Sequence, residues 1–310
     1  MDFGKVPLEH LDKIDFRFSE APETFFIPCQ AIENQTRLPL KVWVGCPVWA
    51  NKAWVGKIYP KGTKEKDFLT FYSRQFNTIE LNTSHYRIPD RATIKQWCEK
   101  TPETFVFCPK ILQTISHKFL LEGNFEAQTM LFCQNIQLLG KRLGACFLQL
   151  PPYFEYRHLE LLEKFIAFFP TEIPLSIEFR HESWFKENHF EQTVQLLQAY
   201  QKGTVITDVA GRRDVLHLRC STPTAMIRFV GNDLHPTDYQ RIDAWVQRLQ
   251  QWYERGLQAV YFFIHEPDDN LSPVLAHYFI RQINQKLALN LPPIQFYDTP
   301  KPQIQQIRLF

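Results

Sequence analysis

The chain has 310 residues, 45% hydrophobic and 22% charged, enough apolar material for a large core. Its formal net charge of +2 argues against a dedicated polyanion or membrane-surface binder, since neither sign dominates. The opening MDFGKVPLEHLDKIDFRFSE mixes charge into every short window, unlike an export signal, and no run approaches the ~20 apolar residues of a membrane helix.

Residues 1–40 show no clean period and are expected to form an extension that wraps the domain or plugs the N-terminal face of its sheet. Short apolar, β-rich runs then alternate with helical stretches. VWVGC (42–46) is followed by FLTFYSRQF, then come TIELN (78–82) and TFVFCPK (104–110). EAQTMLFCQNIQLLG precedes ACFLQL (145–150), and HLELLEKFIAFF precedes LSIEF (175–179). TVITD (204–208) and AMIRF (225–229) follow, and YQRIDAWVQRLQQWYERG leads into AVYFFIH (259–265). Near-continuous apolar runs of about five residues suit parallel strands covered on both faces. Gly140, Pro170 and Gly256 punctuate helix ends.

Eight such strands predict an α/β fold, a TIM-type (β/α)8 barrel over residues 41–288, with an open doubly wound sheet as the alternative. The stretch Val209 to Thr224 carries Gly, Pro and β-branched residues, so the sixth helix is expected to be missing or degenerate. Residues 289–310 are Pro-rich and predict an extended tail. The sequence sets no oligomeric state.

The ends of the strand runs carry polar groups: Glu80 and Asn82, Lys110, Gln149, Glu178 with Arg180 and His181, Asp208, Arg228, and His265 with Glu266. In a barrel these positions surround one site, and so many charged strand ends exceed what isolated ion pairs explain. Glu178 and Asp208 are the candidate catalytic carboxylates, with Lys110 or His265 in the opposite proton-transfer role. Glu80, Asn82, Gln149, Arg180 and Arg228 are candidate substrate-binding groups, the arginines as an anion clamp. Glu178 with Arg180 is the expected centre. A wet site there predicts that Glu178→Gln leaves stability within about 1 kcal/mol of native. Tyr86 and Trp184, and with less force Trp49, Trp54 and Phe185, are placed to stack on a ring or to anchor loops.

The loop HEPDDNLSPV suggests Ser272 as N-cap and Pro273 as first-turn residue of the last helix. Its Glu266, Asp268 and Asp269 disfavour a phosphate there and offer a divalent-cation site or a solvated polar surface. No G-x-G-x-x-G, Walker loop, H-E-x-x-H, G-x-S-x-G or C-x-x-C occurs, so no cofactor is predicted.

Several separate motifs resemble one known family. They are the W-x-G-x-I-Y-P segment at 54–60, F-x-T-I-E-x-N-x-x-x-Y at 76–86, W-x-x-x-T-P-x-x-F-x-F-x-x-K at 97–110, QLPPYF and IEFRHESWF. In this order they resemble the domain of unknown function 72, or YecE-like, family over roughly residues 42–280. The resemblance implies a TIM-barrel-like fold and no established activity. It places the family's polar signature on Glu80, Asn82, Tyr86, Lys110, His117, Gln149, Glu178, Arg180, His181 and Trp184. This chain departs from it with Val230, where the family tends to carry R-x-H-G, and with His265-Glu266 where paired asparagines are usual.

The expected function is acid–base catalysis on a polar, carbohydrate-like or phosphorylated small molecule, by an isomerase, lyase or hydrolase. The alternative is a nucleic-acid-associated or non-catalytic ligand-binding module, whose affinity would fall steeply with salt. Seven cysteines (Cys29, Cys46, Cys98, Cys108, Cys133, Cys146, Cys220), several in apolar runs, fit a reduced cytoplasmic chain. Thiol titration of the denatured, unreduced protein is expected to find all seven free; a loss of two would show a disulfide.

Overall fold

The computed structural model describes residues 4–18 and 39–297. Each of the eight apolar runs contains a strand: β1 (Lys41–Gly45), β2 (Thr78–Leu81), β3 (Val106–Pro109), β4 (Cys146–Gln149), β5 (Leu175–Glu178), β6 (Gly203–Asp208), β7 (Thr224–Val230) and β8 (Ala259–His265). The longer helices are α1 (Phe68–Gln75), α2 (Arg91–Lys100), α3 (Glu126–Ile136), α4 (Leu159–Phe168), α5 (His189–Ala199), α6 (Pro236–Glu254) and α7 (Ser272–Leu287). Between β6 and β7 the connection carries one 3-10 turn, Arg213–Val215. Starts follow local chemistry: the Asp90 carboxylate accepts from Thr93 N–H at 2.8 Å, and Pro236 occupies the first turn of α6. Helix α7 begins at Ser272 itself, and the Ser272 hydroxyl donates to Asp269 Oδ1 at 3.2 Å instead of capping the helix.

All strand pairs are parallel, in a six-stranded ladder β1-β8-β7-β6-β5-β4 and a two-stranded ladder β2-β3. Val106, Cys108, Phe147, Val205, Met226, Tyr261 and Phe263 come from both ladders, yet they form one buried cluster with Trp43 against it. The sheet therefore curves around a common interior. The opposite strand face packs under the helices, with Ile227, Phe229 and Phe262 against Trp245, Leu249 and Phe279.

Where β1 meets β2, side chains stand in for ladder bonds. The Asn77 amide accepts from Val44 N–H at 2.7 Å and donates to Val42 O at 2.9 Å. The Tyr72 hydroxyl accepts from Cys46 N–H at 2.8 Å and donates to Thr78 O at 2.9 Å. The strands approach so closely that a Cβ at Gly45 would lie 2.3 Å from Thr78 O. Main-chain bonds then tie the strand ends, Glu80 N–H to Cys46 O at 3.2 Å and, between β3 and β4, Ile111 N–H to Phe147 O at 2.9 Å.

Residues 4–18 lie at the C-terminal end of the strands and not at the N-terminal face, the one end that the sequence expectation named. Gly4 O accepts from Gly211 N–H at 2.9 Å, Phe16 O accepts from Arg213, and Phe18 packs on Trp245, all beside the C-terminal end of β6. The segment has too little apolar pattern to indicate which end of a sheet it covers. Past α7, Ile294 is buried and the Gln75 amide clasps Gln295, accepting from its N–H at 2.8 Å and donating to its O at 3.2 Å. The six described cysteines are free, and Cys29 lies outside the described residues. Among the described residues no helix is long and apolar enough to cross a membrane.

Asn77→Ala leaves Val44 N–H and Val42 C=O without their partners and should cost about 2–3 kcal/mol. Urea denaturation with an unchanged m-value would show it, and a loss under about 0.5 kcal/mol would mean the two strands do not need this bridge.

Candidate functional site

Strand side chains alternate between faces, so parity decides who reaches the interior. Counting from the interior residues Cys108, Phe147, Val205 and Met226, the next inward positions toward the strand C-termini are Lys110, Gln149, Thr207 and Arg228. Glu80, Glu178 and His265 join them, and all but Thr207 are linked through hydrogen bonds. Arg228 donates to both oxygens of Glu80 at 2.9 Å and to Glu178 Oε2 at 2.8 Å. Arg180 donates to Glu178 Oε1 at 2.7 Å. The Gln149 amide donates to the Glu178 carboxylate at 3.1 and 3.3 Å and accepts from Lys110 Nζ at 2.8 Å. His265 Nε2 meets Glu80 Oε2 at 2.9 Å, and Asn82 donates to Glu80 Oε1 at 3.0 Å. Except for Asn82, every member of this network is buried.

The electrostatics follow from burial and neighbours. Burial alone would raise the Glu178 carboxyl, but Arg180 and Arg228 outweigh it and bring the pKa down to about 2. Glu80 is likewise held well below the usual carboxylate range by Arg228 and His265, against its burial. Burial brings Lys110 down to about 8, helped by the neighbouring charge of Arg228. With Lys110 charged, three cations face two carboxylates, leaving this layer one positive charge in excess.

Two sequence candidates fall outside the site. Asp208 shares its parity with Ile206, on the helix-facing side, where it is bound by Trp245 Nε1 at 2.7 Å, Arg241 at 3.2 Å and Arg213. It anchors α6 to the sheet, and the inward residue of β6 is Thr207, whose buried hydroxyl has no hydrogen-bond partner among the described residues. Trp184 is fully buried against Phe154 and Phe179, its Nε1–H donating to Phe154 O at 2.7 Å, so it cannot stack on a ligand. Trp54 is equally buried, while Tyr86 is 75% exposed. His181 accepts from Ser183 N–H at 3.2 Å, and His117 pairs with the Ser116 hydroxyl at 2.7 Å.

Above the network lies a cavity of about 650 Å³, lined by Asn82, Tyr86, Lys110, Val230, His265 and Glu266 and covered by residues Gly4 to Leu8. Sequence reasoning counted Glu266 among the polar strand ends and gave it no role beyond that of a candidate cation ligand. Here Oε2 accepts from Asp233 N–H at 2.8 Å, while Oε1 is buried without a hydrogen-bond partner among the described residues. A Cβ on Gly231 would lie 2.4 Å from it, so a larger residue there would require the Glu266 carboxyl to move. Burial and the charge of Asp238 push the Glu266 carboxyl up to about 8. The only signal in the sequence was its place directly after β8, and Asp238 and Asp233 belong to another connection. Asp268 is taken up by Asn270, and Asp269 accepts from Ser272. Among the described residues no group of three His, Cys, Asp or Glu side chains is placed to hold a metal ion.

Glu178 is 1% exposed and paired with two arginines, contrary to the expectation of a solvent-open centre. Glu178→Gln leaves Arg180 and half of Arg228 uncompensated and should cost roughly 3–5 kcal/mol at pH 7. Because its folded pKa is depressed from 4.5 to about 2, its stabilisation is full above pH 4.5 and is lost as pH falls toward 2. Acid denaturation of the wild type should show that loss, and Glu178→Gln should flatten it; near-native melting of the variant would return Glu178 to the wet, exchangeable class.

Comparison with known proteins agrees with the α/β fold and with the family that the motifs resemble. The chain is 30% identical over 256 residues to UPF0759 protein YecE of Escherichia coli K12, covering 76% of this chain and 90% of that protein. It is 27% identical to UPF0759 protein YunF of Bacillus subtilis over 51% of this chain and 57% of YunF. A DUF72 family protein of Thermotoga maritima MSB8 superposes with a TM-score of 0.65 at 24% identity, over 79% of this chain and 99% of that one. One from Enterococcus faecalis V583 gives 0.64 at 20% identity, over 82% and 98%. With residues 43–298 matching the family described as Protein of unknown function DUF72, this chain belongs to that family.

Proposed function

We propose that the chain is an enzyme that transfers protons on a small, polar, anionic molecule, with Lys110 and Glu266 as its acid–base pair. The observation that carries this is their shared cavity: one amine and one carboxyl, both brought to a pKa of about 8 by burial, line the same space. A group whose pKa lies near the working pH is the most effective proton carrier, which neither Glu178 nor Asp208 can be while held ionised by arginines. The excess positive charge below the cavity supports an anionic group, of the phosphorylated or acidic-sugar kind, held at Lys110, while Asp233, Glu266 and Asp269, which line the same space, would face the uncharged part of the substrate. Isomerisation and lyase chemistry need such a pair. We also read the two ladders as one closed (β/α)8 barrel, supported by the Asn77 and Tyr72 bridges and the shared interior cluster. Free, buried thiols support a reducing, cytoplasmic setting.

The two groups carry opposite pH signatures. Lys110 has a lowered pKa, so the unfolded chain binds more protons between pH about 8 and 10.5, and stability rises with pH across that window. Lys110→Met should remove that rise, stabilise the chain at pH 7 by on the order of 3 kcal/mol, and abolish thermal stabilisation by inorganic phosphate. Glu266 has a raised pKa, so its neutral form favours the folded chain below pH 4.5 and this contribution fades as pH climbs to about 8. Glu266→Gln should remove that decline. Melting curves from pH 5 to 10 check both; a Lys110→Met protein that still responds to phosphate would take Lys110 out of the site.

A further inference from the structure

Lys110 is a buried amine, 6% exposed, that makes no ion pair among the described residues, although two carboxylates lie in the same layer. Glu80 is held by Arg228, and Glu178 by Arg228 and Arg180. The one hydrogen bond that Nζ makes there is to Gln149 Oε1. That amide cannot turn over, because its NH2 donates to both oxygens of Glu178. Its carbonyl therefore faces Nζ and takes one N–H. A buried ammonium normally keeps a carboxylate partner; this one is denied it by the arginines and sits against the Phe147 ring at 6.0 Å. Desolvation beside other cations is how an amine is kept available as a nucleophile. With a pKa of about 8, about a tenth of Lys110 is neutral at pH 7, against a few parts in ten thousand for an exposed lysine. Gln149 holds one N–H, so the lone pair of the neutral amine is left for the cavity that Lys110 lines.

We propose that Lys110 is a covalent nucleophile whose Nζ condenses with the carbonyl carbon of a small aldehyde, ketone or 2-oxo acid bearing an anionic group. This rests on reading the cavity as an anion-binding catalytic site and goes further by naming the functional group that is attacked. The neutral Nζ gives its lone pair to the carbonyl carbon, and the C=O π pair moves to oxygen, which takes a proton while the nitrogen gives one up. The carbinolamine then loses its hydroxyl as water after a second proton arrives, leaving a C=N bond to Lys110. No electrons enter or leave, and the only by-product is water. Glu266, protonated at neutral pH and lining the same cavity, is the acid on hand for the second proton. The iminium carries the same single positive charge as the ammonium it replaces, so the charge of the layer is unchanged.

Reductive trapping tests this. The full chain is incubated with pyruvate, and separately with pyridoxal 5′-phosphate, and reduced with sodium borohydride. Peptide mass spectrometry then locates the adducts. The expected result is Lys110 modified at least ten-fold more than any other lysine, faster at pH 9 than at pH 7, and slowed by inorganic phosphate. Lys110→Arg should lose the dominant adduct; should that variant not fold, protection of the wild type by phosphate carries the same information. Modification spread evenly over exposed lysines, or none at Lys110 with either compound, overturns the proposal. Phosphate that stabilises the protein with no adduct at Lys110 removes the covalent step and leaves the anion site standing. Neither stabilisation nor adduct removes both.

Discussion

Arg228 is the group on which both the fold and the site depend. It is 1% exposed, and burying a guanidinium is unfavourable unless carboxylates of good geometry meet it. It meets two, one from β2 in the smaller ladder and one from β5 in the larger. A single side chain thus ties together strands that no continuous ladder joins. The same bonds fix the charge state of the layer, because both carboxylates are committed to arginine and neither is left for Lys110. Structural cohesion and a dry, unpaired amine are two results of one arrangement.

That arrangement explains which parts of the site could be read from the residues alone. The eight strands were legible because each is buried on both faces and reads as a short apolar run. The polar strand ends were legible as a set, and Glu80, Lys110, Gln149, Glu178, Arg228 and His265 do converge. Parity was not legible at β6, where Thr207 and Asp208 are adjacent and both buried, so the sequence offers no exposed face to break the tie. Asp208 looked catalytic on type alone, whereas its role depends on Trp245 and Arg241, some 35 residues further along. The chemistry of Glu266 was hidden for the same reason: its raised pKa comes from burial and from Asp238 on a different connection. Roles set by an element's own residues could be read; roles set by a partner element could not.

The strain in the wall around Glu266 also belongs to this distributed kind of information. Asp233 and Leu234 are consecutive non-glycine residues at φ of 57° and 60°, a left-handed pair that L side chains avoid. The turn they make presents Asp233 N–H to Glu266 and places Gly231 against its other oxygen. A turn of this kind persists where surrounding contacts over-determine it, and here Asp238 provides them by accepting from both Asn232 N–H and its amide, at 2.8 and 2.9 Å.

Family pattern and geometry divide the cavity into two parts. The layer beneath it, with Glu80, Lys110, Gln149, Glu178 and Arg180, holds the positions on which the family resemblance read from the sequence falls, and Lys110 is its member that lines the cavity. The wall, with Val230, His265 and Glu266, is where the sequence departs from that resemblance. The roof, Gly4 to Leu8, lies outside the matched residues 43–298 altogether. Beneath these departures from the resemblance the buried ion pairs are intact. Each unpaired charge left in a dry layer costs several kcal/mol. Here each carboxylate of that layer has an arginine, and Lys110, which among the described residues makes no ion pair, is the group that lines the cavity.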